Sequence, residues 1–226
     1  MKGFIILGLS VSSVLSAQTD STQIKEIQEV SFTRRLPVSK EIINVQKDLG
    51  SKNLGQDLPI LLKNQMSVVA TSDAGNGVGY TGFRIRGSAG TSINVMLNGV
   101  PYNDSESQGT FFFFFPDMAS SASQIVIQRG VGTSSNGTAS FGASVNILTK
   151  NPDEKPYVLG QFSAGSFNTM KTSFEAGSGK FLNDLLSVSA RYSTINSDGY
   201  IDRAFSKLNS YNINALFEKG NTKIRF

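Results

Sequence analysis

Cysteine and histidine are both missing from the 226 residues of this chain. Without cysteine there can be no disulfide, thiolate metal site or cysteine nucleophile. Without histidine the commonest general base and the commonest transition-metal ligand are gone. Together the two absences exclude most hydrolase and zinc-site readings before any motif is considered. Long apolar runs are also scarce. Beyond the amino terminus no segment stays apolar long enough to cross a bilayer as a helix. A membrane role must therefore come from β-structure, the other architecture that satisfies every backbone group in lipid. One-sided charge is lacking too. The net charge is +4, but Lys and Arg are scattered among acids, which suits solvated faces rather than a nucleic-acid patch.

At the start, Lys2 precedes the apolar run Phe4 to Leu15, and small residues follow at Ser16 and Ala17. Residues 1–17 read as a secretory signal peptide, although Leu15 departs from the small-x-small pattern at the cut. Residues 18–40 form a polar linker with no periodic core pattern. Within it Ile27, Gln28, Glu29, Val30, Ser31 and Phe32 make a short extended stretch with Ile and Val separated by polar residues.

The centre of the chain is a set of short strands closed by glycine. Phe83 to Arg86 ends at Gly87, Ile93 to Leu97 runs into Asn98-Gly99, Ile125 to Arg129 stops at Gly130, and Val145 to Leu148 follows Gly142. Strands with tight turns require this pattern, because Gly and Asn enter positive φ at low cost. A helix is expected over Leu54 to Gln65, with Leu54, Leu58, Leu61 and Leu62 at helical spacing and Pro59 near its first turn. A strand is expected over Ser67 to Thr71, followed by a flexible glycine-bearing loop from Ser72 to Thr81. Asp117 is placed to cap a short helix running towards Ser123. The glycine-rich stretch Gly130 to Gly137 lacks the Gly-Lys-Ser/Thr ending of a phosphate loop and the third glycine of a dinucleotide loop, so nucleotide chemistry is disfavoured.

Four of these pieces in order, Ile85-Arg86-Gly87, Val95 to Pro101, Ile127 to Gly130 and Phe141 to Lys150, resemble the plug domain of TonB-dependent outer-membrane receptors. The Asn103 to Gly109 variant resembles the Bacteroidetes branch. The resemblance implies an α+β plug domain, a small mixed sheet with short helices, over residues 41–151. It implies that Ile27 to Phe32 is a TonB box, which adds as a β-strand to the inner-membrane energy coupler TonB; a first plug strand or a plain linker is the alternative. It also implies that Arg86 and Arg129 pair with glutamates on the barrel wall, against the plainer reading of two exposed strand-end arginines. Phe111, Phe112, Phe113, Phe114 and Phe115 form an aromatic run, which as a strand would show rings on both faces. It either touches ligand at the top of the plug or packs on the barrel interior. The acidic loop Asn103 to Glu106 reads as a solvated turn rather than a cation site.

After Pro156 the pattern changes to longer alternating runs of about nine residues. Val158, Gly160, Phe162 and Ala164 oppose Gln161 and Ser163; Met170, Thr172, Phe174 and Ala176 oppose Lys171, Ser173 and Glu175; and Leu186, Val188, Ala190 and Tyr192 oppose Ser187, Ser189 and Arg191. Apolar-out, polar-in alternation of this length marks an outer-membrane barrel, though a soluble antiparallel sheet gives the same pattern. Residues 152–226 are thus expected to be the first four strands of an antiparallel transmembrane β-barrel and the start of a fifth. The turns at Gly177 to Asp184 and Gly220-Asn221 are expected on the periplasmic side, and a long connection from Thr194 to Asn209 outside. So few strands cannot close a barrel, so the chain reads as the amino-terminal part of a longer receptor. The function implied is energy-coupled uptake of a nutrient, with a ferric siderophore the first guess. A soluble periplasmic binding or scaffold module is the alternative. Outer-membrane lipid, TonB and a small-molecule or metal-chelate ligand are the expected partners, nucleic acid is not, and no catalytic residue, cofactor or metal is assigned.

Overall fold

A computed structural model of the protein describes residues 39–132 and 140–226. The expected signal peptide, the Ile27–Phe32 stretch and residues 133–139 lie outside the described residues.

The first half is built on a five-stranded mixed sheet in the order β1-β6-β7-β4-β5. Its strands are β1 (Ser39–Asn44), β4 (Ile93–Leu97), β5 (Val100–Pro101), β6 (Ala122–Arg129) and β7 (Ala143–Thr149). Only β4 and β7 pair in parallel; the other neighbours are antiparallel. Alternation decides the faces: Ile125, Ile127, Val145 and Ile93 are fully buried, as a period of two requires. Asn98 and Gly99 both take positive φ, 52° and 84°, which turns β4 back onto β5. The Asn98 carboxamide oxygen also accepts from the Thr149 N–H at 2.9 Å, locking the turn to the end of β7. A separate hairpin pairs β2 (Val68–Ser72) with β3 (Thr81–Ile85).

Helix is shorter here than the leucine spacing suggests. Only Leu58–Leu61 (α1) is helical, with Pro59 in its first turn. Ahead of it the Leu54 N–H donates to the Gln56 side chain at 2.8 Å, a local bond that competes with helix formation. Leu58, Leu61 and Leu62 are nonetheless buried in the core. The second helix, α2, is Met118–Ser121. Polar β1 was not marked by periodicity; its register with β6, Ile43 opposite Ile125, is set by one buried side chain.

The second half is a wall of sequential antiparallel strands, β8 (Pro156–Ala164), β9 (Met170–Phe181), β10 (Leu186–Ser197), β11 (Ser206–Lys219) and β12 (Thr222–Arg225). Strands β9 to β11 run to 12, 12 and 14 residues, longer than expected. The connection between β10 and β11 shrinks accordingly to residues 198–205. The wall is inside-out relative to a soluble sheet. Lys171, Ser173, Ser187, Ser189, Arg191 and Ser193 are buried against the first half, while Val158 is 84% exposed, Phe174 60% and Ile213 72%. Polar side chains inside and large apolar ones outside are the pattern that hydrocarbon demands. No helix among the described residues is long and apolar enough to cross a membrane, which says nothing of crossing by strands.

Candidate functional site

Arg225 of β12 donates to Asn98 Oδ1 at 3.3 Å, and two larger junctions also join the sheet domain to the wall. The first is an aromatic pocket at the end where β10 turns into β11. The Phe111–Phe115 run is not a strand: Phe112–Phe114 form one 3₁₀ turn, which sends the rings in different directions. Phe112 is buried and packs on Phe83 with centroids 5.3 Å apart. Phe115 meets the edge of Tyr102 at 4.0 Å. Phe113 sits between Tyr80 at 4.8 Å and Phe114 at 4.4 Å, and Phe114 is exposed. Across from Tyr80 and Phe113, the wall contributes Phe205, Lys207 and Leu208, and together they line a cavity of about 430 Å³. Such a pocket offers aromatic faces, one cation in Lys207 and one carboxylate in Asp73.

The Ser72–Thr81 loop that frames this pocket is braced rather than loose. The Tyr200 N–H donates to the Ala74 carbonyl at 3.0 Å, and Asn76 donates to Ser197 Oγ at 2.5 Å. Gly75 has φ +73°, and a Cβ there would stand 2.9 Å from Tyr200, so only glycine fits. Beneath the loop lies Asp57, buried, with Oδ2 accepting from Thr81 Oγ at 2.8 Å. Its Oδ1 finds no hydrogen-bond partner among the described residues. Burial pushes its carboxyl up to about 6, with the Thr81 hydroxyl and the Gly79 N–H offsetting part of the rise.

The second place is a buried ion cluster. Asp117 takes left-handed φ of 56° and a fully buried position at the head of α2. The cap expected of it does not form: its side chain makes no bond to the helix backbone. Instead Oδ1 accepts from Lys171 Nζ at 2.6 Å and from Ser120 Oγ at 2.6 Å, and Oδ2 accepts from Arg191 at 2.6 Å. Lys171 also donates to Ser120 Oγ at 2.7 Å, and Arg191 to Ser121 Oγ at 2.7 Å and Ser193 Oγ at 2.9 Å. Lys171 stands on β9 and Arg191 on β10, so a single carboxylate ties the first half to two adjacent staves. Neither the acid nor its lysine has any solvent-exposed side-chain area.

The two motif arginines lie near each other, since the Arg86 guanidinium reaches to within 3.6 Å of where a Gly130 Cβ would stand. Arg86 is exposed. Arg129 is buried, ion-paired to Glu41 of β1, and donates through Nε to the Met66 carbonyl at 2.9 Å. In the acidic loop, Asp104 accepts from the Ser107 N–H at 2.7 Å and its hydroxyl at 2.8 Å. Those two bonds hold its carboxyl below the usual range and occupy it as a turn brace. Asp117, Lys171 and Arg191 form the buried ion pairs of the domain-to-wall contact, and sequence reading gave the pairing no role. Parity along β9 and β10 did place both cations on the inward face.

Residues 33–144 match the TonB-dependent receptor plug domain family. Comparison with curated protein sequences gives no match. Among solved structures, the chain is similar to FpvA of P. aeruginosa bound to a heterologous ferric pyoverdine (TM-score 0.66, 15% identity, 84% of this chain and 24% of that one). It is similar also to the ferric yersiniabactin uptake receptor FyuA from Yersinia pestis (0.60, 16%, 80% and 29%). A third is the copper transporter OprC (0.60, 14%, 80% and 28%). At these identities the likeness is one of fold: a plug followed by antiparallel barrel staves. The chain spans 24% to 29% of the length of these structures.

Proposed function

We propose that the chain is the plug and first staves of an outer-membrane receptor for energy-coupled nutrient uptake, a reading supported by the match of residues 33–144 to the TonB-dependent receptor plug domain family. The observation that carries this reading is the inverted wall, with Arg191 and Lys171 inward and Ile213, Phe174 and Val158 outward. A soluble periplasmic module would leave that apolar face in water, a penalty of about 25 cal/mol for every Å² exposed. The ligand rests in the pocket between Tyr80, Phe113 and Phe205, with the rings of Phe111 and Phe114 packed on Phe113. Ferric siderophores are the first class to test, since FpvA and FyuA are receptors of ferric chelates and aromatic faces beside Lys207 suit a planar, anionic chelator. No bond is made or broken; the work is gating.

In this reading TonB pairs with the extended backbone of Ile27 to Phe32 as an added strand. Arg86 and Arg129, neighbours at one end of the sheet, face glutamates supplied by later staves, with Glu41 already holding Arg129. Location in the outer membrane follows from the same outward apolar face. The test is growth of an iron-starved strain, carrying the receptor as its sole uptake route, on ferric pyoverdine, ferric yersiniabactin or a ferric tris-catecholate. Growth on at least one that is lost on deleting residues 27–32 is the expected outcome. A receptor that washes from the membrane with carbonate overturns the reading.

A further inference from the structure

The floor of the aromatic pocket is held from below by a single acid. Val78, Gly79 and Tyr80 line that pocket, and Asp57 grips the backbone around them. Its N–H donates to the Gly77 carbonyl at 2.9 Å, its Oδ2 accepts from Thr81 Oγ at 2.8 Å, and the Gly79 N–H reaches its carboxyl as well. Gly77 and Gly79 take φ of +82° and +93°, which glycine adopts without steric penalty. These two joints flank Val78, whose side chain is fully buried, so the backbone beside it can shift while Val78 stays in place.

Asp57 is 2% exposed, and its Oδ1 finds no hydrogen-bond partner among the described residues. No charged side chain among those residues bonds to it either. Lys52 and Lys63, on either side of α1, are exposed, as are Asp73, Tyr80 and Arg84 of the hairpin. On the wall beside the loop Asp198 and Lys207 are exposed too, and Lys171 and Arg191 are paired with Asp117. Burial, the Thr81 hydroxyl and the Gly79 N–H are what act on its charge. A neutral carboxyl tolerates one bare oxygen at modest cost, whereas an ionised one in the same place is strongly penalised. Relief comes when water reaches Oδ1, and the layer packed over Asp57 is the backbone of residues 77–81.

We propose that Asp57 is a positioning residue of the ligand pocket and ties ligand binding to acidity. As the neutral acid it keeps residues 77–81 seated beneath the ligand. As the carboxylate it lifts that backbone far enough to admit water, and Tyr80 moves off its place in the pocket. This rests on the uptake reading and adds a regulation to it. A ligand that needs the seated floor binds in proportion to the seated fraction. The carboxyl titrates at about 6 when seated, against 3.8 in water, so full ionisation lowers the seated-to-open ratio by on the order of 100-fold. The pocket therefore holds its ligand best in acid and loosens as the pH rises through 6.

The test uses the intact receptor in outer-membrane vesicles, with radio-iron pyoverdine, yersiniabactin and a tris-catecholate as probes. Between about pH 5 and about pH 8 the parent's affinity for at least one probe is expected to weaken by roughly three- to tenfold. Asp57→Asn has no proton to lose and is expected to remove the receptor's share of that change. The chelate's own titration is common to both proteins and cancels in their ratio. Thr81→Val withdraws a donor from the carboxylate and so moves the weakening to higher pH, whereas a role in packing alone would lower affinity equally at every pH. Hydrogen exchange at residues 77–81, corrected for the intrinsic effect of pH, reads the floor without ligand. Protection there falls by about tenfold over the same range in the parent and stays level in Asp57→Asn. Parent binding or protection that is flat with pH, a slope that Asp57→Asn keeps, or a Thr81→Val midpoint that does not rise overturns the proposal alone. A parent that binds none of the probes at any pH removes the uptake reading, and the proposal with it.

Discussion

Replacing Asp117 by alanine leaves Lys171 and Arg191 buried with no carboxylate between them. What remains to them can be read off the geometry. Lys171 keeps Ser120 Oγ at 2.7 Å, while Arg191 keeps Ser121 and Ser193 and the backbone carbonyl of residue 117 at 3.2 Å. Two charge-assisted contacts at 2.6 Å are lost. Stranding buried charge in this way costs about 3–5 kcal/mol. The assay is protease cleavage of the plug in outer-membrane vesicles across a urea series. With a urea slope of roughly 2 kcal/mol per molar, the cleavage midpoint falls by about 2 M. The triple variant Asp117→Leu, Lys171→Met, Arg191→Leu removes the charges together and is expected near the parent, since apolar replacement of a whole buried cluster is often neutral or stabilising. An unchanged midpoint in Asp117→Ala refutes the reasoning. So does a triple variant as weak as the single one, for then the penalty is lost packing rather than stranded charge.

The remaining expectations concern the apex and the wall. Asp57 titrates near 6 in the plug against an ordinary 3.8. The folded state therefore holds its proton longer than the unfolded one, and plug stability falls as pH rises from about 4 to 6, by up to roughly 3 kcal/mol, then levels. Asp57→Asn flattens that fall in the same urea–protease series, and a slope that survives the substitution refutes the assignment. Gly75→Ala, at φ +73° and against Tyr200, is expected to cost at least about 1 kcal/mol and to expose residues 72–81 to proteolysis; Tyr200→Gly, which removes the Cβ that is met, relieves the contact but not the φ penalty. Phe174→Lys puts a charge on the outer face of β9, at a cost of about 2–4 kcal/mol if it lies at bilayer mid-depth. Its yield in the outer-membrane fraction drops, whereas a wall facing water would show equal or better solubility.

Much of this arrangement could be read from residues in line. Ile93, Ile125, Ile127 and Val145 fall at alternate positions of short apolar runs, and glycine marks where β4 and β6 stop and where β7 begins, so β4, β6 and β7 were visible. So were the two faces of the wall, because parity alone sorts Ser173 and Arg191 from Phe174 and Tyr192. Three things were not. β1 has too few apolar residues to show a period, and it becomes a strand through partners 80-odd positions away, such as Arg129 at 88 residues from Glu41. Five identical phenylalanines have no period, so strand and turn could not be told apart. Asp117 beside Pro116 has the local look of a helix cap, and its true partners stand 54 and 74 residues downstream. Parity says which way Lys171 and Arg191 point, but only the packed structure says what they meet.

The single parallel ladder between β4 and β7 has a consequence for how this protein is made. Ile93 pairs alongside Ala143 and Leu97 alongside Ile147, so β4 has no central neighbour until β7 exists. β1 waits likewise for β6. Pairings so distant along the chain form slowly, and almost none of the sheet can be assembled while its first strands are emerging. The sheet therefore stays open, with bare strand edges, until β6 and β7 are made, and its contact with the wall waits for the staves that carry Lys171 and Arg191.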